Sequence, residues 1–320
     1  MKFLSPFGIF SFCFLMLNSV YAQDFEHPVQ YNNYIIDEQS MITNRNLDYI
    51  TTSVHSNDLN AIEAKRQQVI QQIQVSLEKY RALPGFEGDS KMRDEAVAVL
   101  ETYLETFNID FSEALSLKAG SQESFEAMEK YYEAQDRAER KMAKATDRFN
   151  RAQEGFARKH EFEIVEDEHA SNKIKKIADL NEYTRVIYLK FFKVSKSNSA
   201  FFDALEAEKA ITMDRKRVEL QEDCSEALVF LDALEGFKGE KAYRTSAINL
   251  IEFHHNLAKD GFKTLVEVVE KKDKLTQEDV DNYNRIIEEY NNKSQLLINI
   301  FNEENTRLMK RHIPEPGKRT

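Results

Sequence analysis

From Val280 onward, apolar residues return every three or four positions: Val280, Tyr283, Ile287, Tyr290, Leu297, Phe301 and Leu308, with Ser294 and Glu304 filling the same spacing. Steps of three and four stay on one face of an α-helix and fit no strand, so the pattern predicts one helix carrying a stripe about 43 Å long. A second series of this kind runs Phe125, Met128, Tyr132, Gln135, Glu139, Met142, Thr146, Phe149, Gln153, Phe156 and His160. Its polar members, Gln135, Glu139 and Gln153, suit the wetter edge of an antiparallel bundle better than a tight coiled coil.

Breaks between the periodic runs carry helix start and stop signals. Ser56-Asn57-Asp58, Gly120-Ser121, Ser197-Asn198-Ser199 and Thr276 with Asp279 all offer side-chain oxygens to the free amides of a first turn. Eight helices are therefore predicted, near 29–54, 58–83, 90–117, 122–162, 168–196, 199–234, 241–271 and 277–312. The five prolines are at 6, 28, 84, 314 and 316, so none interrupts the chain between Gly85 and Ile313. The expected fold class is all-α, built from long antiparallel helices.

The stretch ALPGFEG at 82–88 recurs as ALEGFKG at 233–239. At that spacing of 151, Arg93 meets Arg244, Ala96 meets Ala247, Glu101 meets Glu252 and Phe111 meets Phe262. The segment SQESFEAMEKYYE at 121–133 meets TQEDVDNYNRIIE at 276–288, and LNAIEAKR at 59–66 meets FDALEAEK at 202–209. These matches predict two tandem copies of a four-helix bundle-like unit, at 23–162 and 163–312, the second helix of the later copy being about two turns longer. In each copy the signature turn joins the second and third helices. Its first glycine is expected to cap a helix in the left-handed conformation, its Phe to fold back on the apolar stripe, and its second glycine to let the chain reverse. A phosphate-cradling loop would need a preceding strand, and none is visible.

The first residues change the picture. Met1 and Lys2 precede an apolar run from Phe3 to Leu17, and Val20, Tyr21 and Ala22 precede Gln23, as in a secretory leader spanning 1–22. No later run is long and apolar enough to suggest a membrane span. The formal net charge is −11, and loss of the leader with its one Lys makes it −12. Such acidity disfavours nucleic acid and anionic membrane surfaces as partners. Cys224 is then the sole cysteine, so no internal disulfide is possible, and it reads as a small buried hydrophobe. The tail at 313–320, with two prolines, is expected to be disordered.

Candidate chemistry is sparse. Glu252 with His255 forms an ExxH pair, half of a carboxylate-bridged di-iron arrangement, and Glu166 with His169 forms another. The stripe of that helix runs Tyr243, Ala247, Leu250, His254, Ala258, Gly261 and Leu265, and Glu252 lies roughly 155° from its centre. His254 therefore reads as a core residue. His254 and His255 are the only metal-ligand candidates, and no catalytic or cofactor-binding residue is expected. His160 and His312 close the last helix of each copy, where a cation suits the helix dipole. YNNYIIDEQ at 31–39 and DNYNRIIEEYNN at 281–292 read as amphipathic residues at the wet edge of the bundle.

A leader ending in Tyr21 and Ala22 before Gln23, followed by YNNYIIDEQ opening a long helical chain, resembles uncharacterised all-helical surface or periplasmic proteins of Bacteroidetes and spirochaetes. The resemblance implies an exported helical protein of an outer-membrane bacterium and carries no activity. The functional expectation is a non-enzymatic protein of the periplasm or cell surface that binds an envelope protein or peptide partner, or acts as a spacer. Two alternatives are a metal-binding bundle using His254 and His255, and a small-ligand carrier or sensor.

Overall fold

The computed structural model describes residues 25–56, 58–164 and 170–313, and among them it is all-helical. The helices are α1 Pro28–His55, α2 Leu59–Ala82, α3 Lys91–Glu105, α4 Phe111–Gly120, α5 Phe125–Lys159, α6 Ala170–Glu206, α7 Ala210–Ala233, α8 Ala242–Asn256, α9 Phe262–Lys271 and α10 Gln277–His312. α3 continues into α4 through a π turn at Thr106–Asp110, and α8 into α9 through one at Leu257–Gly261, leaving eight rods. Among the described residues no helix is long and apolar enough to cross a membrane. The leader at 1–22, the Glu166–His169 pair and residues 314–320 lie outside the described residues. Ile313, expected in the tail, is instead fully buried in the core.

Caps appear where the sequence predicted them at Asp58 and Thr276, while α5 is capped by Ser124 rather than by Ser121, whose hydroxyl donates back to the Lys118 carbonyl at 2.9 Å. The Asp58 carboxylate accepts from the Asn60 and Ala61 amides, the Ser124 hydroxyl from Ala127, and Thr276 with Asp279 forms a reciprocal capping box. The break expected at Ser197–Ser199 is absent, and α6 runs through it to Glu206. Each of those side chains is engaged elsewhere: Ser197 donates to Asp223, Asn198 to the Tyr290 hydroxyl at 2.8 Å, and Ser199 back to the Ser195 carbonyl at 3.0 Å. The chain turns instead at Ala207–Lys209, where Glu208 takes a φ of 52°. α2 and α7 consequently have 24 residues each, and the later one is not two turns longer. By position, residues 59–66 correspond to 210–217 rather than to 202–209, which puts Glu63 and Arg66 opposite Asp214 and Arg217.

That register explains the π turns. A π turn inserts one residue into the helix ladder and frees a carbonyl that must find another donor. Arg66 on α2, held by Glu63 at 2.8 and 2.7 Å, donates to the Phe107 carbonyl. Arg217 on α7, held by Asp214 at 2.8 Å, donates to the Ala258 carbonyl at 3.1 Å. Arg66→Leu leaves that buried carbonyl without its donor and is expected to cost about 1–3 kcal/mol in chemical denaturation. Arg81→Ala, which breaks only the exposed ion pair to Glu101, should cost under about 1 kcal/mol.

The signature turns differ from expectation in which glycine does what. The helices end at Leu83 and Leu234 in extended geometry, and neither Gly85 nor Gly236 has a left-handed φ. What those glycines lack is room: a Cβ would stand 2.9 Å from the Asp89 carbonyl carbon at Gly85, and 2.6 Å from the Glu240 oxygen at Gly236. Glu87 and Gly88, like Lys238 and Gly239, pair two positive φ values in a type I′ turn, closed by 2.9 Å bonds from Asp89 to Phe86 and from Glu240 to Phe237. Arg93 donates to the Leu83 carbonyl at 2.7 Å and Arg244 to that of Leu234, tying each turn to the following helix. Gly239→Ala should cost about 1–2 kcal/mol, the ordinary penalty of a left-handed alanine. Gly236→Ala should cost more in the same denaturation experiment, because the clash is with backbone.

Two apolar clusters form. One gathers Tyr31, Ile35, Ile73, Tyr80, Leu100, Phe107 and Phe156, and the other Ile187, Phe201, Leu220, Leu250, Phe262 and Phe301. Partly buried Ile50 of α1 touches both, and α5 packs on α6, so the clusters share a boundary.

Candidate functional site

His254 is buried, between Phe253 at 5.6 Å and Tyr290 at 6.2 Å, and its Nδ1 has no hydrogen-bond partner among the described residues. Burial lowers its pKa to about 4, so the ring is neutral at pH 7. Its neighbour His255 is half-buried and faces α7, with Nε2 3.2 Å from the Ser225 hydroxyl. Glu252 points to solvent. The helix therefore spreads these three groups around its circumference. Among the described residues no three His, Cys, Asp or Glu side chains lie close enough together to hold a metal ion.

The other sequence candidates also resolve into packing. Tyr31 and Asn32 of the YNNY segment point inward, the Tyr31 hydroxyl donating to the Pro84 carbonyl at 3.1 Å and Asn32 accepting from Gln153 at 2.9 Å. His160 and His312 set their rings 5.1 Å from Phe86 and Phe237 of the signature turns, and the His312 Nε2 is 2.9 Å from Glu240. Cys224 is fully buried, and burial pushes its thiol up to about 12, far from the reactive thiolate range.

Between α5 and α6 lies a polar cluster that the sequence did not announce. Arg185, only 7% exposed, pairs with Asp136, approaches Glu139 at 3.6 Å and lays its guanidinium over the Tyr132 ring at 5.2 Å. Burial, and then the nearby Glu182, push Glu139 up to about 7. Arg185 fixes the junction of the two clusters, and its own carboxylate partners occupy it. A shallow pocket nearby is lined by Lys193, Lys196 and Lys216 beside the start of α5. Its lysines are also engaged: Lys193 with Asp223 at 3.0 Å, Lys196 with the Gln122 carbonyl at 2.6 Å, and Lys216 with Glu219 at 2.5 Å.

The surface feature that packing leaves unexplained is the outer face of α7. Ile211 is 87% exposed and Val229 74%, with Val218 and Phe230 beyond a third. At the corresponding places on α2, 151 residues earlier, stand Asn60, Gln67, Glu78 and Lys79, all exposed. α2 has exposed apolar residues of its own in Leu59 and Val75, but none as open to solvent as Ile211 and Val229, and that is how the two helices differ. A groove at the C-terminal end of this face is lined by Val229, Phe230, Ala233 and Leu234, with Lys190 and Glu226 beside them. Lys190 and Lys193 hold the Glu226 carboxylate at 2.7 and 2.9 Å and lower its pKa to about 2. The signal was present in the sequence as the weak amphipathicity of residues 210–233, apolar on both sides of one helix.

Comparison with protein families, with curated proteins and with solved structures finds no match to this chain.

Proposed function

We propose that this chain is an exported, non-enzymatic protein that works by contact, with the outer face of α7 as its docking surface. The observation that carries the reading is the contrast between Ile211, Val218, Val229 and Phe230 on α7 and their polar counterparts on α2. Val229, Phe230, Ala233 and Leu234 form a contiguous apolar groove, the kind of surface that marks a contact site, and Ile211 and Val218 extend it along the helix. Export is supported by the leader pattern at 1–22, and the resemblance noted above favours the periplasm or cell surface. We also read the chain as two copies of one helical unit, supported by the repeated π turns, type I′ turns and carbonyl-binding arginines. On that reading the copies have diverged in surface while keeping their internal joints.

The reading is tested in cells by placing a photo-crosslinking side chain at 211, 218 and 229, and at 60, 67 and 78 on α2. Adducts from the α7 positions with few from α2 are expected, on a protein whose first residue is Gln23 by mass. Equal yields from both helices would remove α7 as the docking surface, and an intact residue 1 would remove the export reading.

A further inference from the structure

The outer face of α7 carries both halves of a contact. Ile211, the most exposed large apolar side chain, projects near the N-terminal end, while the groove of Val229, Phe230, Ala233 and Leu234 lies 18 residues on, roughly 27 Å along the same helix. Its exposed positions Ile211, Arg215, Val218, Glu222, Ser225, Val229 and Asp232 alternate steps of four and three, the spacing of a seam between two helices.

Charge along α7 is divided in the same sense. Residues 214–217 are Asp214, Arg215, Lys216 and Arg217, whereas from Glu219 onward the charged residues of the helix are all acids. Asp214 is paired with Arg217, Lys216 with Glu219, Asp223 with Lys193 and Glu226 with Lys190 and Lys193, so Arg215 and Glu222 are opposite charges left facing outward along the seam. A parallel neighbour of the same sequence would set Glu222 against Glu222 and Arg215 against Arg215. An antiparallel neighbour sets Arg215 of each helix against Glu222 of the other.

We propose that α7 pairs antiparallel with α7 of a second copy of this chain, resting on the reading of this face as a docking surface. In a two-fold arrangement any contact between residues i and j is made twice. The register that places Ile211 in the second copy's groove brings Val218 to both sides of the axis near Leu220. It also sets Arg215 beside the second copy's Glu222. Arg215 is free to make that contact, being well exposed with only a 3.9 Å approach to Glu219 within its own helix. One register therefore buries the outward apolar residues of the helix and matches Arg215 with Glu222.

Sedimentation equilibrium of the purified protein should give a reversible dimer, with a dissociation constant on the order of micromolar for an interface built on one helix. Ile211→Asp should weaken it at least about tenfold, as loss of an apolar side chain that fills a pocket does, and the far-UV spectrum should stay as in the parent because the side chain is solvated. Arg215→Glu should weaken the dimer, and adding Glu222→Arg should restore it. A variant with both Ile211→Cys and Val229→Cys should oxidise to a covalent species of two chains, since the two sites are too far apart to join within one. A parent protein that stays monomeric, or a dimer indifferent to Ile211→Asp, overturns the proposal. So does a ladder of higher oligomers from the double cysteine variant, which would indicate head-to-tail contacts. A monomeric parent that still yields crosslinks from α7 in cells would sink self-pairing alone and leave the docking surface to another protein.

Discussion

Phe262→Ala is expected to destabilise the protein by about 3–5 kcal/mol, the range for removing a fully buried aromatic ring. Phe262 opens α9 directly after the π turn and has no exposed surface. Its ring is stacked on Phe201 of α6 at 4.3 Å with 5° between planes, meets Phe202 edge-on at 5.4 Å and lies 6.1 Å from Tyr290 of α10. Two neighbouring helices, α6 and α10, thus converge on this side chain of α9, and none of the three can close the space without leaving its own packing. Phe111→Ala, at the corresponding place in the first cluster, should fall at the lower end of that range. Phe111 retains 8% exposure, and its ring meets Phe107 at 4.9 Å and Tyr49 at 5.6 Å. Equilibrium denaturation of both variants checks this. A loss below about 1 kcal/mol for Phe262→Ala would mean that the site collapses freely, contrary to a core packed from three sides.

The second large effect is in the pH dependence of stability. Burial holds His254 neutral with a pKa near 4, against an ordinary value of 6.5. The unfolded chain therefore binds a proton between pH 6.5 and 4 that the folded chain refuses, and the stability His254 contributes falls as pH falls through that window. Glu139, raised by burial, acts in the opposite sense, so comparison with a His254 variant isolates the histidine. The shift corresponds to about 3 kcal/mol, fully present above pH 6.5 and lost by pH 4. His254→Leu should be close to the parent at pH 7, because the ring nitrogen it deletes has no partner among the described residues. At pH 5 it should be the more stable of the two, with a flattened slope in urea denaturation followed from pH 7 to pH 4. Identical slopes in the two proteins would refute a neutral buried imidazole. Tyr103, which holds the matching place in the first cluster, meets the Thr146 hydroxyl at 2.5 Å and carries no charge in this range, so the matching place there has no such sensitivity.

The docking surface proposed on α7 was only partly legible in the sequence. Ile211, Val218 and Val229 are ordinary apolar letters in a helical run, and their orientation depends on which face α7 turns to α6 and α8. The comparison with Asn60, Gln67 and Glu78 becomes possible only in the register 59 to 210, which the structure supplies and which the misplaced break at Ser197–Ser199 had hidden. Arg185 was illegible for a similar reason. An isolated arginine in a helix reads as a solvated charge until α5 is laid against it with Asp136, Glu139 and Tyr132. His254 was the opposite case, since its place on the stripe with Ala247, Leu250 and Leu265 already put it inside.

By itself the sequence determined the helical class, the ends of most helices, the outward direction of Glu252 and the recurrence of the signature turn. All of these rest on interactions within a few residues, namely the 3.6-residue period, side-chain caps and the absence of proline, which a linear pattern records. Only the tertiary structure decided that α6 runs on to Glu206, that Gly85 and Gly236 are required by a carbonyl across the turn, and that Arg66 and Arg217 complete the π turns. It also decided which apolar face of α7 stays in water. Each of these depends on partners brought close from elsewhere in the chain: Asp223 and Tyr290 drew Ser197 and Asn198 away from capping, and the neighbouring helices chose which side of α7 to cover. Local propensity cannot encode such a choice, because the competing states differ only in long-range contacts.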